Sequence, residues 1–68
     1  PGDEYDIDLD EFSDEIEPWV IEELKRIGCD TGRSVLALSA AELERRTDLE
    51  KETIEDLRKV LEEEFSRN

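Results

Sequence analysis

Two short joints constrain this chain more than anything else in it. The first runs Leu24-Lys25-Arg26-Ile27-Gly28-Cys29-Asp30-Thr31, and the second runs Leu43-Glu44-Arg45-Arg46-Thr47-Asp48-Leu49-Glu50. In each, apolar residues at helical spacing lead into basic side chains, a tight turn, an apolar residue and then an acid able to open the next helix. Cations suit the negative end of one helix dipole and acids the positive start of the next. With Leu36-Ala37-Leu38-Ser39 between them, the joints predict two helix-hairpin-helix units in an all-α chain. That layout points to docking and away from catalysis.

The helices can be placed from their stripes and their ends. Ser13-Asp14-Glu15-Ile16 predicts a short turn up to Glu17, because Pro18 is tolerated only in the first turn of a helix. A helix from Pro18 to Ile27 then carries Val20, Ile21, Leu24 and Ile27 on one side, with Trp19 beside them. Gly28 stands where a left-handed residue ends a helix. Asp30 or Thr31 can cap the next segment, whose apolar face is Val35, Leu36 and Leu38. Ser39-x-x-Glu42 reads as a capping box for a short third helix that ends near Arg46-Thr47. A fourth, from about Glu50 to Phe65, carries Ile54, Leu57, Leu61 and Phe65, plus Val60. Glu55 and Lys59 are spaced for a favourable ion pair along it. No strand pattern competes after residue 12. The expectation is a small tandem helix-hairpin-helix bundle, SAM-like, of four to five helices.

Length limits what such a bundle can bury. Sixty-eight residues allow one domain, and a chain of about 60 residues buries only roughly 60% of its unfolded surface. Residues are 35% apolar and 46% charged, so the core must come from a few stripes. The charge is lopsided. Nine of the 22 acids and none of the 9 bases fall in residues 1–17, and the net charge is −13. A field of that sign repels phosphate backbones and favours basic partners.

Residues 1–12 alternate acids with Tyr5, Ile7, Leu9 and Phe12. Period two suits an edge strand, but five acids between Asp3 and Asp10 without a neighbouring base argue for a solvated segment. We therefore expect a disordered acidic linker over 1–12, with Leu9 and Phe12 able to fold back, and a domain over 13–68. The chain lacks an initiator methionine, a signal peptide and any apolar run of membrane-spanning length. These features predict a cytoplasmic fragment of a longer protein.

Chemistry-bearing patterns are sparse. There is no histidine and a single cysteine, Cys29. General-base, zinc and disulfide arrangements are accordingly not expected, and Cys29 reads as a small hydrophobe after Gly28. Asp6-x-Asp8-x-Asp10 imitates the start of a calcium loop, with Glu17 at the twelfth position. The required glycine is replaced by Glu11, and no helix precedes it. No catalytic residue, metal ligand or cofactor site is expected. Lys25, Arg26, Gly28 and Arg33 could form a phosphate-binding edge, since helix-hairpin-helix turns use their amides in this way. Asp30, Asp48 and Glu50 would place carboxylates where phosphate must sit. Trp19 is either an exposed docking anchor or a partly buried core residue.

Taken together, Ile16 to Thr31 with its Gly-apolar-Asp-Thr, Val35 to Leu43 with its Leu-Ser-x-x-Glu-Leu, and Thr47 to Ile54 resemble the C-terminal acidic-repeat domain of the bacterial transcription factor NusA. The preceding acidic segment is similar to the linker leading into such a domain, and the resemblance covers about residues 13–66. It implies a tandem helix-hairpin-helix module of a transcription elongation, termination and antitermination factor. Its partners would be RNA polymerase, through the C-terminal domain of the α subunit, other transcription factors, or the RNA-binding domains of its own parent chain, which it would mask. Asp48 stands where the family's second hairpin has glycine, which disfavours direct nucleic-acid contact.

The expected function is therefore a non-enzymatic, monomeric protein-docking module, with Trp19, Asp30, Asp48, Glu50, Glu52 and Asp56 as its candidate contacts. The alternative is a nucleic-acid-binding module using Lys25, Arg26, Gly28 and Arg33. A dimer formed through the Ile54–Phe65 stripe is a third reading.

Overall fold

A computed structural model describes residues 5–67. In order they form a 3-10 turn over Leu9–Phe12 and four helices, α1 (Pro18–Arg26), α2 (Gly32–Leu36), α3 (Ala40–Arg46) and α4 (Lys51–Ser66). The chain is all-helical, as expected, and the described residues contain no strand. The longest helix, α4, packs against both α2 and α3, and it buries Ile54, Leu57 and Leu61 from its predicted stripe.

Local chemistry sets the ends of each element. Pro18 occupies the first turn of α1, where its missing N–H costs nothing. That helix ends as the sequence requires. Gly28 lies at φ 94°, its N–H donates to the Lys25 carbonyl (2.9 Å), and the Cys29 N–H reaches back to the Leu24 carbonyl (2.9 Å). This is a Schellman closure, with both Leu24 and Cys29 buried in the core. Thr31, one of the two expected caps, begins α2: its hydroxyl accepts from the Ser34 N–H (3.2 Å), and the Ser34 hydroxyl accepts from the Thr31 N–H (3.1 Å). At α3 only half of the expected box forms. Ser39 Oγ accepts from the Glu42 N–H (3.1 Å), while the Glu42 carboxylate pairs with Arg45 (2.8 Å). Thr47 is the buried polar link from α3 to α4, donating to the Leu43 carbonyl (2.6 Å) and accepting from the Leu49 N–H (3.1 Å). Along α4, Arg58 engages Glu62 (3.9 Å) and the Leu38 carbonyl (2.6 Å). Glu55 and Lys59 do not form the expected pair.

The main correction concerns the N-terminal segment. Residues 1–4 of the expected linker lie outside the described residues, but residues 5–12 are not a disordered linker, and the folded unit begins well before residue 13. Leu9 is 0% exposed and Phe12 is buried with it in the main core. Asp8 and Thr31 form an isolated antiparallel bridge; the Leu9 N–H donates to the Asp30 carbonyl (3.0 Å) and the Gly32 N–H to the Ile7 carbonyl (2.8 Å). The expectation failed because it looked for compensating bases only nearby in sequence. They arrive from across the fold: Lys25 reaches Asp10 (2.8 Å), and the Arg33 charge acts on Asp6, which also accepts from the Arg33 backbone N–H (3.0 Å).

Two substitutions test this account. Leu9→Ala is expected to cost about 2–5 kcal/mol, a large part of the roughly 3–10 kcal/mol that a chain of this size commands. Urea unfolding followed by circular dichroism would measure it, and an unchanged midpoint would return residues 5–12 to a linker. Gly28→Ala is expected to cost about 1–2 kcal/mol, because a Cβ is strained at positive φ. The same measurement checks it.

Candidate functional site

Amides at the two joints are the groups a phosphate would need, and nearly all are spent inside the molecule. At the first joint, the N–H groups of Gly28 and Cys29 close α1. Those of Thr31 and Ser34 form the α2 cap, and those of Gly32 and Arg33 donate to the Ile7 carbonyl and the Asp6 carboxylate. At the second joint, the Asp48 N–H donates to Glu23 Oε2 (2.8 Å), and the Thr47 and Leu49 amides are held by Leu43 and by the Thr47 hydroxyl. A carboxylate of this chain thus occupies each joint.

The candidate cations are committed as well. Lys25 Nζ holds both oxygens of Asp10 (2.8 and 3.0 Å), a bond that keeps its ammonium above the ordinary value. Arg26 forks onto both oxygens of Glu23 (3.2 and 2.5 Å) and reaches the Arg46 carbonyl (3.4 Å). Arg33 donates to the Tyr5 carbonyl and lies 4.2 Å from the Phe65 ring centroid. Tyr5 meets the same ring edge-to-face at 5.9 Å and 78°. A Cβ at Gly32 would lie 2.9 Å from Phe65 Cε2, so a larger residue there would require the ring to shift. Lys25, Arg26, Gly28 and Arg33 are therefore each engaged in contacts within the chain.

Two carboxyls record these contacts in their acidity. At Asp6, burial pushes the pKa up. The Arg33 N–H, the Thr31 hydroxyl (2.8 Å) and the Ile7 N–H (2.8 Å), together with the Arg33 charge, outweigh it and leave the group below its ordinary value. At Glu23, the bond from Arg26 and then that from the Asp48 N–H depress the value, against a smaller rise from desolvation.

Of the six expected docking residues, the structure brings two together. Trp19, 52% exposed, and Asp56 line one groove of about 220 Å³ between the start of α1 and the middle of α4. Of its other acids, Glu15 read in the sequence only as a helix-start charge, and Glu17 as the end of a short turn and the twelfth position of the calcium-loop imitation. Exposed Glu52 lies one turn before Asp56 on α4, and exposed Glu50 precedes that helix. Asp48 belongs to the second joint beside Glu23 and Arg26. Asp30 is elsewhere, on the bridge to the N-terminal segment. A second, wider hollow of about 510 Å³ has Asp8, Glu11, Asp14 and Glu64 among its lining and shares Glu15 with the groove, so the acidic face is continuous.

Asp6, Asp8 and Asp10 do not converge. Asp6 turns to α2 and Asp10 to Lys25, and among the described residues no group of three His, Cys, Asp or Glu side chains could hold a metal ion. Cys29 is buried, its thiol 3.7 Å from the Ser34 carbonyl. No described helix is long and apolar enough to cross a membrane. Comparison with protein families, curated proteins and solved structures gives no match for this chain.

Because the Asp6 and Glu23 carboxyls lie below their ordinary values of 3.8 and 4.5 in the folded chain, the stability they supply is complete above those values. It is lost as pH falls through the lower folded ones. Asp6→Asn should therefore lower the unfolding midpoint at about pH 7, and its difference from the parent should shrink towards about pH 3. Urea titrations of both proteins at the two pH values check this. A gap that persists at the acidic end would show that Asp6 acts through shape and not charge.

Proposed function

We propose that this chain is a non-enzymatic protein-docking module, a tandem helix-hairpin-helix unit of a bacterial transcription elongation, termination and antitermination factor. One observation carries the choice of a protein over a nucleic acid as partner. Nearly all the joint amides and the cations beside them are engaged internally, while carboxylates line the open surface. A phosphate approaching either joint would have to displace Glu23 or Asp6 and then face further acids. A basic protein surface meets no such barrier, and complementary charge would speed its encounter and set its register more than deepen its affinity.

The resemblance to the NusA acidic repeats supplies the proposed context. The module would contact RNA polymerase, through the C-terminal domain of the α subunit, or regulatory factors, and would mask RNA-binding domains of its own parent chain. In this reading it acts as a monomer. Its second joint and the start of α4 present Asp48, Glu50, Glu52 and Asp56 to the partner.

The test is a titration against the purified C-terminal domain of the polymerase α subunit, with single- and double-stranded RNA and DNA in parallel at low salt. Binding to the protein should weaken as salt rises. The double variant Asp48→Lys/Glu50→Lys should bind several-fold more weakly at unchanged helical content. Submillimolar binding to the nucleic acids, with none to the protein or to polymerase in a bacterial-lysate pull-down, would overturn the proposal.

A further inference from the structure

The groove beside Trp19 combines three properties seldom found together on so acidic a molecule. Its floor is apolar: Ile16, Val20 and Leu57 are core residues, and Val60 is half-buried against them. Its wall is the Trp19 ring, half in solvent. Its remaining lining comprises three carboxylates, Glu15, Glu17 and Asp56, with Thr53, and includes neither lysine nor arginine.

The tryptophan is also held in place. Pro18 fixes the first turn of α1, and the indole N–H donates to Glu17 Oε1 (2.7 Å). With its polar tip satisfied, the exposed part of the ring offers only apolar contact. Rigid, partly exposed tryptophans beside a pocket are the residues on which interfaces concentrate their binding energy. Lys25 and Arg26, which share a shallow surface with Trp19 beyond the groove, are paired with Asp10 and Glu23 and leave the acidic rim uncompensated.

From these observations we infer that the groove captures a segment of a partner protein that presents one apolar side chain flanked by lysine or arginine. The inference rests on the docking function proposed above and assigns it an anchor. The apolar side chain enters between Trp19 and Val60, and the flanking cations meet Glu15, Glu17 and Asp56. At about 220 Å³, the groove is smaller than the roughly 300–1,000 Å³ of small-molecule pockets and suits a single side chain. A second copy of this chain is a poor occupant, because it carries the same net charge of −13. The acidic rim equally disfavours nucleic acid.

Trp19 is the only tryptophan, so its fluorescence reports on the groove directly. Three synthetic peptides of equal length serve as probes: one with a central leucine flanked by lysines and arginines, one with glutamates in place of those bases, and one with serine in place of the leucine. The first should shift Trp19 emission to shorter wavelength, saturably, and less so as salt rises. The other two should not. Followed by anisotropy of labelled peptide, Asp56→Lys should weaken binding about tenfold. Glu44→Lys, the same charge change on exposed α3, should leave it unchanged.

Equal loss with both variants would mean that binding follows net charge. That would overturn the groove while leaving the docking function standing, as would a first peptide that fails to move Trp19 up to millimolar concentration. A Trp19 shift caused by raising protein concentration alone would assign the groove to a second copy and sink the inference. A shift caused by an RNA oligonucleotide but by none of the peptides would overturn both readings.

Discussion

Burial of Leu9 and Phe12 is the contact on which the rest of this molecule depends. The described residues bury thirteen apolar side chains in the core, a small number for a stable domain. Two of them come from a segment rich in acids. Removing a side chain of that size from water supplies about 1.5–3 kcal/mol, enough to hold the segment down only if its charges are also met. Lys25 meets Asp10, and Arg33 with the Thr31 hydroxyl meets Asp6. The apolar and ionic contacts support each other, since each would be weak without the order imposed by the other.

That arrangement decides what the surface can bind. With 9 bases against 22 acids, bases committed to particular acids leave the remaining acids without a compensating cation. Lys25, Arg26 and Arg33 are drawn to Asp10, Glu23 and the Tyr5–Phe65 cluster. Asp6 and Glu23 in turn take joint amides that could otherwise have received an anion. The same contacts that close the fold thus occupy amides and cations that a phosphate would use, and they leave a continuous acidic face through Glu15 to Asp56. Exposed pairs contribute little to stability individually, so their larger effect is on what remains available to a partner.

Much of the helical layout was legible because it depends on neighbours in sequence. Pro18, Gly28, Thr31 and Ser39 act within a turn or so of themselves, and the Ile54–Leu57–Leu61 stripe is periodic. The site was legible only in part. Trp19 and Asp56 stood out as docking candidates, but Glu15 read only as a helix-start acid and Glu17 as part of a turn and of an imperfect calcium loop. Among the cations that suggested a phosphate edge, Arg26 has its partner Glu23 within one turn, whereas the partners of Lys25 and Arg33 lie 15 and 28 residues away.

Taken alone, then, the amino-acid order determined the all-helical class, the approximate helix ends, the inward stripe of α4 and the sign of the field around the chain. All of these follow from short-range geometry and composition. Tertiary structure alone decided that residues 5–12 belong to the fold, which carboxylates occupy the joints, and that Trp19 and Asp56, 37 positions apart, share one groove. Those outcomes depend on which distant groups pack together. No local pattern encodes that when an acid's compensating cation is supplied by another helix.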